Sequence, residues 1–174
     1  MDAWTKIVAC GTARTVRNGL VAKGRGLQQG DIEGIAKGAM TYAETISGAD
    51  YLAAVGTIHA YGREMAAAFD TCDIILSATL AEPPAKVGRF AHNREDYVTF
   101  RTGEGGVFDY SPFCAVFNAS GQPAASVPLF QSAGGLPIGV HLAAAFGEDE
   151  MLIALCSELE AADPWFDRGP PLFA

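Results

Sequence analysis

Several kinds of chemistry are missing from these 174 residues. No run approaches the roughly 20 consecutive apolar residues that a membrane span needs. The N-terminus, MDAWTKIVACG, has neither a basic start nor a long apolar core, so it does not read as a signal peptide. There are only four cysteines, Cys10, Cys72, Cys114 and Cys156, widely spaced and each in an apolar neighbourhood. No Cys-x-x-Cys pair occurs, which argues for free thiols in a reducing cytoplasm rather than a disulfide framework. Bases are few, 12 against 20 acids, for a net charge of −8. Such a surface repels phosphates, so no nucleic-acid partner is expected. The loose basic group at Arg14, Arg17, Lys23 and Arg25 reads as solvated surface.

Self-sufficient catalytic motifs are absent as well. The chain has no Gly-x-Ser-x-Gly elbow, no His-Glu-x-x-His, no zinc-spaced Cys/His group and no Gly-Lys-Ser/Thr phosphate loop. Gly24-x-Gly26 lacks a preceding strand and a correctly placed third glycine, so it reads as a loop rather than a dinucleotide site. No catalytic residue, metal ligand or cofactor site is assigned.

What the chain does have is hydrophobic residues, 49% of the total, enough for one domain spanning 1–174 and for an apolar face left over. Helices are expected over residues 4–20, from a cap at Asp31 to about residue 43, from Ser47 to Asp70, and over 148–162. In the second, Ile32, Ile35, Ala36, Ala39, Met40 and Ala43 fall on one face. In the third, Ser47 and Asp50 form a weak capping box, and His59 beside the apolar stripe reads as a core histidine. Trp165 and Phe166 should pin the tail to the body.

Strands are expected at 72–77, 124–130 and 136–146, the last two adjacent and antiparallel across a five-residue turn. Residues 86–108 read as an irregular loop with a short helix near 94–101 and with His92 on the surface. Before the second strand, Asp109 and Ser111 can cap a helix, with Pro112 in its first turn, Phe113, Val116 and Phe117 along one face, and Gly121 and Pro123 ending it. In a mostly parallel sheet, Thr79 and Glu82 would stand at the ligand-binding end of the first strand.

Several of these stretches, in order, resemble the C-terminal half of the amidase signature family. NASGQPAASVPLFQSAGGLPIGVHL, starting at Asn118, carries an Asn-x-x-Gly-x-Pro-Ala turn and a Gly-Leu-Pro-x-Gly-Val strand. FDTCDIILSATLAEPP, from Phe69, is similar to that family's first-strand stretch, with Ala78 where members carry proline. Gly48-Ala49-Asp50-Tyr51 resembles the start of a long helix, and DPWFDRGPP, from Asp163, a tail. The first forty residues are similar, more loosely, to bacterial 6-aminohexanoate-cyclic-dimer hydrolase-like amidases.

The resemblance implies an α/β fold, an amidase-signature-like mixed sheet flanked by helices, of which this chain would be the C-terminal portion only. It implies hydrolysis of a carboxamide without a cofactor. The family's Ser, cis-Ser and Lys lie on a Gly- and Ser-rich segment, and no Ser-Ser-Gly-Gly run occurs here. None of Lys6, Lys23, Lys37 or Lys86 stands near a Ser-rich turn. The chain alone is therefore expected to be inactive. It would supply part of the sheet and one wall of the substrate pocket, with Thr79, Ser111, Phe113, Cys114, Phe117 and Asn118 as wall candidates. Phe113 and Phe117 read equally as core, and Asn118 reads as a cap of the helix end before it reads as a substrate contact. The implied partners are a small-molecule amide, the N-terminal amidase portion and, through the leftover apolar face, further copies of the chain. Two alternatives stand beside this: a stand-alone, non-catalytic domain derived from an amidase and acting in assembly or small-molecule binding, and the amidase subunit of a tRNA-dependent amidotransferase. The latter carries an acidic residue where Ser111 stands and a different tail.

Overall fold

The computed structural model describes residues 1–169. The chain divides into two compact units, Met1–Tyr61 with Lys86–Tyr110, and Gly62–Ala85 with the chain from Ser111 onward.

The first unit is helical. α1 (Asp2–Lys23) runs beyond the expected 4–20 despite two internal glycines, and ends where Gly24 adopts the left-handed conformation, φ 63°. α2 (Gly34–Glu44) starts later than a cap at Asp31 would allow. Asp31 is engaged elsewhere: its carboxylate accepts two bonds from the Arg25 guanidinium, at 2.6 and 2.8 Å, and one from the Gln28 backbone N–H at 2.9 Å. Those bonds hold the Asp31 carboxyl well below the usual carboxylate range and tie down the glycine-rich loop.

α4 (Tyr97–Thr102) packs against both α1 and α2. Ala9, Ala39 and Tyr97 form the buried centre, and the Tyr97 hydroxyl donates to the Thr5 carbonyl at 3.2 Å. Gly38 is needed here, because a Cβ at that position would lie on the backbone carbonyl of Glu95. α5 (Val107–Tyr110) closes the unit. His92 lies on the surface, with Nδ1 2.9 Å from Glu33 Oε2.

α3 (Gly48–Ala68) passes from the first unit into the second. Its start is the capping box read from the sequence. The Asp50 N–H donates to Ser47 Oγ at 3.1 Å, and the Ser47 N–H donates to Asp50 Oδ2 at 3.2 Å. Its apolar stripe is not core: Ala54 is its one buried residue, Leu52 is 70% exposed, and His59 is exposed rather than a satisfied core histidine.

The second unit is built on a three-stranded sheet in the order β1 (Ile74–Ala78), β3 (Pro137–Ala144), β2 (Ala124–Gln131). β2 and β3 are adjacent and antiparallel, as the short turn requires. In that turn Ser132 accepts twice: its carbonyl from the Gly135 N–H and its hydroxyl from the Leu136 N–H. β1 also pairs antiparallel to β3. The parallel-sheet geometry that singled out Thr79 and Glu82 is therefore not that of these three strands. The register of β2 shifts between Val127 and Phe130, where Pro128 has no N–H to give the ladder.

α7 (Asp149–Ala162) covers one face of the sheet. Val127, Val140, Leu142, Ala144 and Leu152 are buried there, with Ile74, Leu155 and Leu159 packed around them. Trp165 joins this cluster, held by its N–H to Glu160 Oε1 at 2.9 Å. The Phe166 N–H donates to the same oxygen, yet the residue is 90% exposed, so of these two aromatic residues Trp165 is the one packed on the body. Pro170 and Pro171 of the tail motif lie outside the described residues. All four cysteines are free and half-buried.

Candidate functional site

Strand alternation gives the sheet a second face of different character. His141 of β3 stands in register with Ser77 of β1 on one side and Ser126 of β2 on the other. Side chains directly opposite one another share a face, so these three form one polar row across the sheet. One step along, the Thr79 and Ser126 hydroxyls meet at 2.6 Å, and the Thr79 N–H donates to the Gly139 carbonyl at 3.1 Å. Glycine at 139 makes this possible, since a Cβ there would stand inside van der Waals distance of both hydroxyl oxygens.

α6 (Cys114–Ser120) contributes to the same polar face. It begins later than the sequence suggests and without a side-chain cap. The Asp109 carboxylate turns back to accept from the Gly105 N–H at 2.7 Å, and Ser111 and Pro112 lie before the helix rather than capping it. Its end is as expected, with Gly121 in the left-handed region at φ 86° and its N–H donating to the Phe117 carbonyl. The Phe117 ring lies 5.3 Å from the His141 ring at 41°, and the Cys114 thiol donates to the Thr79 carbonyl at 3.4 Å.

A cavity of about 280 Å³ opens between α6 and the sheet, lined by Cys114, Phe117, Asn118, Gln122, Ser126 and His141, with Ala124 and Ala125. Three of the six wall candidates, Cys114, Phe117 and Asn118, line it, and Thr79 is hydrogen-bonded to its Ser126 and Cys114. Ser111 and Phe113 do not line it. The Asn118 Nδ2 donates to the Cys114 carbonyl at 3.0 Å within the helix, and the residue also lines the cavity. Phe117 is buried and lines the cavity as well.

His141 and Gln122 are the residues that sequence reading passed over. Both are buried, at 5% and 6% exposure. The signal for His141 was available in the period-2 alternation, an imidazole in an apolar strand at a position facing serines on two others. Burial alone pushes the His141 imidazole below its ordinary pKa of 6.5, so it is neutral at pH 7. Its Nδ1 lies 3.5 Å from Ser77 Oγ, a long contact. Among the described residues, no group of three His, Cys, Asp or Glu side chains is arranged to hold a metal, and no helix is long and apolar enough to cross a membrane.

The amidase family model matches residues 25–153. The chain belongs to the amidase family. A 6-aminohexanoate-cyclic-dimer hydrolase of Paenarthrobacter ureafaciens is 29% identical over 159 residues, 90% of this chain and 32% of the relative. The protein of the same name from Pseudomonas sp. (strain NK87) matches to the same extent. The solved structure of a 6-aminohexanoate cyclic dimer hydrolase complexed with substrate superposes with a TM-score of 0.84 at 26% identity, over 99% of this chain and 36% of that one. A bacterial aryl acylamidase of the amidase signature family gives 0.70 at 27% identity, over 94% and 34%. This amidase-family chain spans about a third of the length of the curated relatives it matches.

The buried neutral histidine carries a stability prediction. Because its folded pKa is depressed, the unfolded chain binds more protons once pH drops below about 6.5. The stability attributable to His141 is therefore complete above that value and declines as pH falls through it. Urea midpoints at pH 7.5 and pH 5 should show the decline, and His141→Gln should reduce the difference between them. An undiminished difference in the variant would assign the pH dependence to other groups.

Proposed function

We propose that this chain is the C-terminal portion of an amidase that hydrolyses a carboxamide, and that both compact units belong to a single amidase-signature domain. The observation that carries the proposal is the match of nearly the whole chain, at a TM-score of 0.84, to about a third of a 6-aminohexanoate cyclic dimer hydrolase. The absence of a Ser-Ser-Gly-Gly run from the 174 residues supports the division of labour. In the whole enzyme a lysine would activate one serine through the other. The serine oxygen would attack the amide carbon, the amine would leave with a proton, and water would cleave the acyl-enzyme.

In this reading the polar sheet face is part of the substrate wall. Thr79 and Ser126 fix each other's hydroxyls, Phe117 offers apolar contact, and Cys114, Asn118 and neutral His141 offer polar contact without charge. Ser111 and Phe113, which precede α6, would act further along the same wall. The 6-aminohexanoate cyclic dimer named for the relatives is the first substrate to test. The purified chain should not hydrolyse it, or an aliphatic anilide, above the uncatalysed rate. Turnover that disappears on a single substitution in this chain would place catalytic machinery within it and overturn the division.

Self-association belongs to the same proposal. The second unit exposes Leu76 by 68%, Phe130 by 62% and Phe146 by 77%, the kind of apolar surface that in a whole amidase other protein would cover. Light scattering over a hundredfold dilution should give a mass above 18.2 kDa at the concentrated end. A monomer mass throughout would remove this part of the proposal.

A further inference from the structure

The first unit holds a cation without a counterion. The Arg101 guanidinium, on α4, is half-buried against two rings, with Cζ 5.5 Å from the Tyr97 centroid and 4.6 Å from that of Phe108. Among the described residues no carboxylate pairs with it and no acceptor bonds to it. Acids are close in sequence but engaged elsewhere or out of reach. Asp96 pairs with Arg94, Asp109 accepts from the Gly105 N–H, and Glu95 and Glu104 make no ion pair with it. Burial pushes the Arg101 guanidinium below its ordinary range, against the pull of Tyr97, yet an arginine stays charged. The rings return part of what desolvation removes, and an anion would return the rest.

The surroundings fix the group before any ligand arrives. Tyr97 is buried, and its hydroxyl is bonded to the Thr5 carbonyl. The turn after α4 folds back so closely that a Cβ at Gly106 would stand 3.0 and 3.1 Å from the carbonyl oxygens of Phe100 and Arg101. Glycine there lets α5 begin at once and bring Phe108 onto Arg101. Of the three guanidinium nitrogens only Nε is closed off from solvent without an acceptor. The edge left to offer carries Nη1 and Nη2, whose spacing matches the two oxygens of a carboxylate.

We propose that Arg101 is a binding site for the carboxylate of a small organic acid, received end-on by Nη1 and Nη2, and that it discriminates against the uncharged amide of equal chain length. Hydrolysis of a carboxamide by water gives a carboxylic acid and an amine, so the source of the ligand rests on the amidase reading above. The site itself is built from residues 97–108 and uses none of the residues of the polar sheet face. Arg101 is a binding residue here and touches no reacting atom.

The test is a titration of the ¹⁵N-labelled 174-residue chain with sodium hexanoate, with sodium chloride holding the ionic strength constant and hexanamide as the uncharged control. The Arg101 Nε–H resonance, assigned by its loss in Arg101→Lys, should shift saturably. Hexanoate should bind roughly tenfold more tightly than chloride or hexanamide. Arg101→Lys keeps the charge and loses the fork, and should weaken hexanoate binding roughly fivefold, read on neighbouring backbone amides. Phe108→Leu, which removes a ring and leaves Arg101 in place, should also weaken it and stands in if the first variant does not fold. No saturable shift, equal binding of chloride or hexanamide, or undiminished binding in a folded variant would overturn the site. A shift that follows protein concentration without hexanoate, and that hexanoate does not reverse, would assign Arg101 to an acidic side chain of a second copy and overturn the small-acid ligand. Binding is read here without turnover. Its absence would remove the site and leave the amidase reading in place, whereas loss of the amidase reading would leave the binding unchanged and remove only the proposed source of the acid.

Discussion

Everything in the second unit depends on the pairing of β3 with a neighbour on each side. With both strand edges occupied, β3 satisfies its backbone groups and frees its side chains to divide strictly by face. Val140, Leu142 and Ala144 go under α7, and Gly139 and His141 go to the opposite side. A one-residue slip would place an imidazole in the apolar core and Leu142 in the polar row, so register is strongly specified. The apolar face supplies most of the stabilisation, at about 25 cal/mol per Å² of buried apolar surface. The polar face is where the chain can afford chemistry.

The cavity follows from how α6 ends. Gly121 in the left-handed region stops the helix within one residue, and Pro123 prevents it from resuming. The residue between them, Gln122, is buried and lines the cavity. The Pro123 carbonyl then accepts from the Ala144 N–H at 3.0 Å and starts the β2–β3 ladder. A turn, a buried amide and a strand start are thus set by three consecutive residues. This joins the Gly-Gln-Pro motif of the sequence to the geometry of the site.

The sequence was legible where a signal is local and has no competitor. Ser47 and Asp50 form the capping box they spell, and the apolar runs at 124–130 and 136–146 become the expected hairpin. It was less legible where one side chain had two uses. Asp31 and Asp109 are good helix caps by type, but Arg25 and the Gly105 N–H claim them first. The α3 stripe has helical spacing, yet spacing says only that a face could be buried, and among the described residues only Ala54 is. Of the cavity, the wall candidates Cys114, Phe117 and Asn118 are lining residues and Thr79 is bonded to Cys114 and Ser126, while Ser111 and Phe113 lie outside it. His141 and Gln122 also line it and were not read from the sequence, because one sits inside an apolar strand and the other inside a turn motif. Their place in the cavity comes from cross-strand register and burial, which no linear spacing encodes.

The central claim is that substrate meets this chain on the polar face of the sheet and not on the face beneath α7. Photolabelling tests it most directly. A diazirine-bearing aliphatic amide is irradiated with the native chain and the adducts are mapped by mass spectrometry. The account predicts labelling confined to residues 114–126 and to the β3 peptide containing His141, suppressed by excess unlabelled amide. Competable labelling concentrated on α7 and the tail residue Trp165, with residues 114–126 unmodified, would contradict it.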